Sequence, residues 1–428
     1  MATNYYQETS AALALPALEG ERETRVAIVG GGYAGLCTAL SLIERGVREV
    51  AVLEAREVGF GASGRNGGFV FPGYSLGEEA LLRRLGPELA RRLFGYTLEA
   101  VARVRERIRR HGIDCEAVEG GVLWADWFRG GTLVRRRQAL LAEAFGLRWP
   151  LIGEEELRRE HVRSRRYSAA LLEEGAFHVH PLKLARGYAR AILAGGGSLW
   201  ERSPVIALRR ERGGFRLRTP GGSLRAEQVV LAPGGLSTPL VPRAHRALLP
   251  IATYVMASEP LGSRLETLLP TSAAVYDTRF AFDYYRRLPD GRLLWGGRIS
   301  IRDRSPAAVA RLLRRDLVRV FPELAGVRID YAWSGLMGYS RHKMPHIGPI
   351  AEGLWLNQGY GGHGVATTAV GGELIAEAIV EGGERWRDFA AFPPSPAWGW
   401  LGLLAAEATY RWLGLRDRLR EWREGEPD

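Results

Sequence analysis

The stretch that decides the fold runs from residue 26 to residue 54. It reads Val26-Ala27-Ile28-Val29-Gly30-Gly31-Gly32-Tyr33-Ala34-Gly35, then an apolar helical segment to Arg45 and Gly46, then Glu49-Val50-Ala51-Val52-Leu53-Glu54. This order predicts a strand, a glycine turn, a helix and a second strand. In such a turn Gly30 permits the tight bend, Gly32 lets the backbone approach a pyrophosphate, and Gly35 lets the helix pack closely on the strand. Because a helix N-terminus favours a bound diphosphate, the stretch predicts a dinucleotide site.

The acid that ends the second strand supports this interpretation. Glu54 lies 19 residues beyond Gly35, where a carboxylate can bind the hydroxyls of a ribose. The cofactor contacts predicted on this unit are Gly30, Gly32, Tyr33, Ala34, Gly35, Glu54 and Ala55.

Composition narrows the class of protein. The 428 residues are enough for two domains, and the 46% apolar content is that of a globular protein. The net charge of +11 comes almost wholly from arginines interspersed with glutamates along helices, so we predict no nucleic-acid partner. Two cysteines and eight scattered histidines predict neither a disulfide framework nor a metal site. Since no apolar run is long enough to span a bilayer, we expect a cytoplasmic protein.

Glycine-rich loops recur further along the chain. Five glycines in the run from Val58 to Gly68 predict a loop that follows another surface closely. Residues 78–112 show helical spacing of leucine and valine, and residues 250–331 read as an antiparallel meander with one helix. A third apolar strand precedes Gly359-Tyr360-Gly361-Gly362-His363-Gly364-Val365, which opens another helix. A second glycine turn before a helix suggests that the same ligand is held from its other end.

With these motifs in order, the chain resembles the D-amino-acid-oxidase-like superfamily of FAD-dependent oxidoreductases, which includes glycine and sarcosine oxidases. Within it the chain is most similar to the γ-glutamylputrescine oxidase and L-pipecolate oxidase group. The matching pieces, spread over nearly the whole chain, are the turn at 30–35, Gly61-Ala62-Ser63-Gly64-Arg65-Asn66-Gly67-Gly68, His180-Pro181, Tyr284-Tyr285-Arg286, Gly296-Gly297, Pro345-His346-Ile347-Gly348 and the turn at 359–365.

The resemblance implies an α/β fold of the GR2 type: a doubly wound FAD-binding domain with an interleaved substrate domain on a mostly antiparallel sheet. We assign residues 24–75, 170–245 and 335–390 to the FAD-binding domain, 76–169 and 246–334 to the substrate domain, and 391–428 to a C-terminal helical tail.

The resemblance also implies cofactor contacts beyond the first turn. They are Ser63, Arg65, Asn66, Gly67, Gly68, Val205, Gly361, Gly362, His363, Gly364 and Val365. Sarcosine oxidases hold their flavin through a cysteine near the segment occupied here by Gly335 to Gly338. Neither cysteine of this chain lies there, so we expect FAD to bind without a covalent link.

Residues that could orient a substrate are Tyr254, Tyr284, Tyr285, Arg286 and Lys343. A tyrosine hydroxyl and a guanidinium fork can hold a carboxylate, although strand packing would explain the tyrosines equally and a solvated strand end would explain Arg286. Lys343, one of only two lysines, precedes a flavin-side motif and could bind a carboxylate or promote oxygen reduction; a surface lysine is the alternative.

These features predict an enzyme that oxidises an amine or amino acid by hydride transfer to FAD and yields an imine, with hydrogen peroxide formed if oxygen is the acceptor. A γ-glutamylputrescine-like substrate is favoured over an L-pipecolate-like cyclic imino acid. A non-catalytic flavin-binding protein is the alternative from another class. Tryptophans beside arginines in residues 398–422 suit either peripheral contact with the inner face of a membrane, with a quinone as acceptor, or packing on the protein's own surface or on another subunit.

Overall fold

The structure, a computed structural model, describes residues 4–424. The helices, in chain order, are α1 Tyr5–Glu8, α2 Tyr33–Glu44, α3 Glu78–Arg110, α4 Thr132–Phe145, α5 Glu154–Glu156, α6 Pro181–Ala194, α7 Pro242–Arg246, α8 Ser263–Leu268, α9 Pro306–Val320, α10 Gly364–Glu381 and α11 Gly399–Glu424. The strands are β1 Gly20–Val29, β2 Val50–Leu53, β3 Phe69–Val70, β4 Val122–Ala125, β5 Leu151–Gly153, β6 Ala169–Glu173, β7 Phe177–His178, β8 Ser198–Trp200, β9 Ala207–Glu211, β10 Gly214–Arg218, β11 Gly222–Leu231, β12 Leu249–Ser258, β13 Ala274–Asp277, β14 Asp283–Arg287, β15 Leu293–Ser300, β16 Ile329–Tyr339, β17 His346–Ala351 and β18 Leu354–Gln358.

The first sheet contains the strands of the dinucleotide motif. Its order is β17-β18-β11-β1-β2-β8, with the β9-β10 hairpin beside β11. Strands β18, β11, β1, β2 and β8 run parallel, and β1 is buried on both faces where Val26 pairs with Val50 and Gln228. Helices on one face and the hairpin on the other explain why this strand is a continuous apolar run. The doubly wound α/β prediction is confirmed.

The second sheet is mostly antiparallel. Its order is β16-β12-β15-β14-β13-β4-β6-β5, and only β13 and β4 pair in parallel. Helix α9 covers one face through an apolar core that includes Leu313, Trp295 and Tyr285. The segment predicted as a meander between residues 250 and 331 therefore supplies four neighbouring strands of this sheet, β12, β15, β14 and β13.

The structure corrects three parts of the predicted domain boundaries. Residues 170–173 belong to β6, and residues 335–339 to β16, and both strands lie in the second sheet rather than with the FAD-binding segments. Helix α3, predicted in the substrate segment, packs its apolar face with α2 and α10, and its Arg107 forms an ion pair with Glu44 at 2.7 Å. Helical spacing identified the apolar face of α3 but carried no information on which sheet that face covers. The division into two domains stays a proposal, and residues 425–428 of the predicted tail lie outside the described residues.

Candidate active site

A cavity of about 430 Å³ lies at the end of β1, against the first glycine turn. Thirteen of the predicted cofactor residues line it: Gly30, Gly32, Tyr33, Ala34, Glu54, Ala55, Ser63, Asn66, Val205, Gly361, Gly362, Gly364 and Val365. Two glycine turns meet at this cavity, one after β1 and one after β18, because β1 and β18 are parallel strands of one sheet. The carboxyl ends of parallel strands at such a sheet form the usual ligand crevice.

The donor set of this cavity fits an FAD molecule. Gly32, the N-cap residue of α2, has no side chain to cap the helix, and a Cβ there would lie 3.0 Å from Ser63 Oγ. Gly30 has φ +114°, and a Cβ there would lie 2.5 Å from the carbonyl oxygen of Ala232. The turn therefore presents bare backbone at a helix N-terminus, which suits a diphosphate.

Glu54 is held in place at the rim of the same cavity. Its Oε2 accepts a hydrogen bond from Gly31 N at 2.7 Å, and its Oε1 accepts one from Arg56 N at 2.8 Å. Burial raises the pKa of this carboxyl, while the two amide donors act in the opposite direction. Each oxygen keeps accepting capacity, so the fixed carboxylate can bind ribose hydroxyls.

Five predicted cofactor residues do not line this cavity. Gly35 packs α2 on β1, and Gly68, at φ +81°, adjoins the carbonyl of Val179. Arg65 donates from Nε to Phe60 O at 3.0 Å, while its own carbonyl accepts from Trp333 Nε1 at 2.9 Å. These three residues shape the loops, and Gly67 and His363 line a second cavity instead.

The second cavity, of about 350 Å³, adjoins the first. Asn66, Met337, Gly362 and Val365 line both, so the two loops that carry Asn66 and Gly362 meet at the junction. The other walls are mostly aromatic: Phe69, Phe71, Tyr276, Phe280, Phe282, Tyr284, Tyr339 and Tyr410. A dinucleotide cavity that opens into a largely apolar chamber is suited to a ring cofactor with a small substrate beside it.

Lys343 is a cation of this chamber with no acidic partner in the described part of the chain. It lines the cavity with φ +63°, and among residues 4–424 no carboxylate forms an ion pair with it. Burial, and secondarily the charge of Arg84, lowers the pKa of its ammonium. The other cavity cation, Arg298, donates from Nε to Asp316 at 2.7 Å and is thereby neutralised. Lys343 is therefore available for an anionic group of a ligand.

Of the other residues predicted to orient a substrate, Tyr284 lines this cavity, and the remaining three lie outside it. The Tyr254 hydroxyl donates to Arg302 O at 2.6 Å, and Tyr285 stacks on Trp295 at 4.6 Å in the core beneath the sheet. Arg286 is buried against the loops, with Nε donating to Gly67 O at 2.8 Å. Side chains alternate along a strand, so Thr253 and Tyr284 face the cavity while Tyr254 and Tyr285 face the opposite side.

Several cavity residues were not predicted. Tyr276 comes from β13, a strand next to β14, with no sequence signal of its own. Tyr410 reaches the cavity from α11, more than a hundred residues away in sequence, and lies 5.7 Å from Phe280, ring centre to ring centre. His363 lines the cavity, and burial lowers its pKa to about 4, so it is neutral near pH 7.

Known proteins resemble this chain over most of its length. A γ-glutamylputrescine oxidoreductase of Escherichia coli (strain K12) is 36% identical over 92% of this chain and 93% of its own, and a probable oxidoreductase, OrdL, of Haemophilus influenzae is 30% identical over 92% of both. The crystal structure of glycine oxidase from Geobacillus kaustophilus has the same fold, with a TM-score of 0.73, 24% identity and coverage of 87% of this chain and 99% of that one. No helix between residues 4 and 424 combines the length and hydropathy that a bilayer crossing requires. The model of the family described as FAD dependent oxidoreductase matches residues 25–378, and the chain therefore belongs to the FAD-dependent oxidoreductases, with FAD as its cofactor.

Proposed function

We propose that this enzyme oxidises the carbon–nitrogen bond of an amine that also carries a carboxylate, with a γ-glutamylputrescine-like substrate favoured. The observation that carries the proposal is the aromatic chamber next to the dinucleotide cavity, with Lys343 as a cation that no acid of residues 4–424 neutralises. A relative 36% identical over nearly the whole chain is named for γ-glutamylputrescine, which supports this substrate class.

FAD supplies the hydride acceptor, so the protein groups bind and orient rather than perform the redox step. We assign the first glycine turn and the N-terminus of α2 to the diphosphate, and Glu54 to the ribose. The loops at 63–68 and 361–365 would hold the flavin ring where the two cavities adjoin. The two cysteines, Cys37 and Cys115, are buried and line neither cavity, and non-covalent binding of FAD stays a prediction.

In the chamber, we assign Lys343 to the substrate carboxylate. A partly desolvated ammonium binds an anion more strongly than one in bulk water, because the effective dielectric constant is lower. The aromatic walls exclude water from the carbon that loses hydride, and the Tyr284 hydroxyl gives the substrate nitrogen a hydrogen-bonding group. His363 is uncharged near neutral pH and adds no positive charge that would repel a protonated amine.

An anaerobic titration of the yellow protein with γ-glutamylputrescine, putrescine, L-pipecolate, L-proline and sarcosine tests the proposal. Loss of the flavin absorbance with γ-glutamylputrescine but not with putrescine, which lacks the carboxylate, is the expected result. Reduction by L-pipecolate alone would favour a cyclic imino acid, and no reduction by any of them would favour a flavin-binding protein without turnover.

Oxygen is the acceptor that we favour, with hydrogen peroxide as product. Mixing the reduced enzyme with oxygen or with a soluble quinone, and following the return of the flavin absorbance, separates the two. Re-oxidation by the quinone alone would make the enzyme a dehydrogenase. A quinone would in turn imply contact of the C-terminal segment with a membrane.

A further inference from the structure

Helix α11 is attached to the protein through acidic side chains. Its four acidic residues all face the protein: Glu407 accepts from Ile301 N at 3.3 Å, Asp417 from Phe280 N at 2.7 Å and Glu424 from Arg129 N at 2.9 Å, while Glu421 pairs with Arg166 and Arg319. Surface helices normally bury the apolar face and expose the polar one. Here the polar face attaches the helix to the protein.

The opposite face of α11 is apolar and exposed. With successive residues about 100° apart around the helix axis, one stripe contains Leu401, Leu404, Ala408, Trp412, Leu415, Leu419 and Trp422. Trp412 is 62% exposed, Leu404 54% and Trp422 80%. A continuous apolar stripe of this length on a surface is typical of an interaction site rather than of a solvated helix.

Arginines run along both edges of this stripe. Arg411 and Arg418 lie on one edge, and Arg416 and Arg423 lie on the other. No aspartate or glutamate of the described helix lies on that outward face. Tryptophan and leucine between rows of arginine form the pattern that inserts into the headgroup region of an anionic bilayer.

We propose that α11 docks the enzyme on an anionic membrane surface, with the stripe inserted at the level of the headgroups and the arginines against lipid phosphates. A second copy of the chain fits this face less well. A twofold packing of two stripes would bring arginine edges together, and between residues 399 and 424 the outward face offers no acid to compensate them.

The docking helix is also a wall of the substrate chamber. Tyr410, on the inward face, lines the cavity beside Phe280, and Asp417, two turns further along α11, accepts a hydrogen bond from the backbone of Phe280. Membrane binding would therefore place the chamber directly beneath the lipid surface. This inference does not depend on which amine is oxidised.

Co-flotation of the purified full-length holoenzyme with vesicles tests the proposal without any substrate. We expect the protein to float with vesicles of phosphatidylcholine and phosphatidylglycerol, to remain at the bottom with phosphatidylcholine alone, and to be released by salt. The variant Trp412→Ser/Leu415→Ser/Trp422→Ser should bind at least about tenfold more weakly for each side chain removed. The variant Arg418→Gln/Arg423→Gln should bind about fivefold more weakly for each arginine.

A matched control removes an exposed apolar side chain and an exposed arginine outside α11. Ile206 is 59% exposed and the Arg83 side chain 70% exposed, and both lie away from α11, so Ile206→Ser/Arg83→Gln should float like the native protein. Flavin absorbance and thermal unfolding of each variant show that it is folded. Failure of the native protein to float with anionic vesicles, or equal flotation of the triple variant, would overturn the proposal. A native dimer in light scattering that the triple variant dissociates, without vesicle binding, would identify a second copy as the occupant.

Discussion

Arg286 on β14 donates a hydrogen bond from Nε to the carbonyl oxygen of Gly67 at 2.8 Å, and so joins the second sheet to the loop at the junction of the two cavities. Its Nη2 donates to Val179 O at 2.9 Å, and the side chain is buried. A guanidinium used in this way positions the backbone and is not free to bind a substrate.

Replacing this guanidinium should lower the stability and the flavin content of the enzyme rather than its affinity for substrate. In Arg286→Met two buried carbonyl oxygens lose their donor, which should lower the free energy of unfolding by about 2–5 kcal/mol. Thermal unfolding and the ratio of flavin to protein measure both effects. The neighbouring Arg287→Met breaks only a partly exposed pair with Glu266 at 3.5 Å and should change stability by less than about 1 kcal/mol. Native stability with a raised KM in Arg286→Met would show instead that Arg286 binds substrate.

Adjacent tyrosines on β14 should respond in different ways to substitution. Tyr284 faces the chamber, so Tyr284→Phe should leave thermal unfolding nearly unchanged and alter kcat/KM by about two- to tenfold through loss of the hydroxyl. Tyr285 stacks on Trp295 with an interplanar angle of 2°, so Tyr285→Ala should lower the free energy of unfolding by about 3–5 kcal/mol. Steady-state kinetics and thermal unfolding of both variants are the measurements. The reverse pattern would mean that the strand has the opposite phase.

Lys343→Met should weaken the binding of amines that carry a carboxylate more than the binding of amines that do not. Loss of a charged hydrogen bond should raise KM for a carboxylate-bearing amine about tenfold or more, with little change for an amine that lacks the group. The control is Lys183→Met, because Lys183 pairs with Glu116 at 2.6 Å outside the chamber. Equal effects of Lys343→Met on both substrates would contradict the assignment of Lys343 to the carboxylate, and an effect confined to re-oxidation would assign Lys343 to oxygen reduction.

His180 should make stability depend on pH. Its Nδ1 accepts from Lys183 N at 3.1 Å as the N-cap of α6, and burial lowers its pKa from 6.5 to about 3. Between these values the unfolded chain binds a proton that the folded chain does not, so the free energy of unfolding should fall by about 1.4 kcal/mol per pH unit as the pH decreases below 6.5. This contribution is fully present above 6.5.

The variant His180→Asn keeps a side-chain cap but cannot titrate. Thermal unfolding between pH 7 and pH 4 should therefore show a smaller loss of stability for the variant than for the native enzyme. The two slopes of unfolding free energy against pH should differ by about 1.4 kcal/mol per pH unit, the contribution of one proton. An identical slope would contradict the assignment, since other buried histidines would then carry the whole pH dependence.

The sequence predicted those parts of the site that depend on local backbone geometry. The turn at 30–35, Glu54 and the turn at 361–365 all reach the dinucleotide cavity, because a glycine turn between a strand and a helix fixes its own conformation. Lys343, which lines the adjoining chamber, was singled out for a different reason: a rare residue type next to a motif is visible in the sequence alone, and its role stays a prediction.

The tertiary structure decided which side chains of the second sheet face the chamber. A motif such as Tyr284-Tyr285-Arg286 identifies the residues but does not determine which face of the sheet each side chain lies on. A shift of the strand by one residue moves every side chain to the opposite face. It also decided that Tyr410 joins the chamber and that α3 packs with the FAD-binding segments. These contacts connect residues far apart in sequence, and they depend on the packing of whole sheets and helices, which no local pattern encodes.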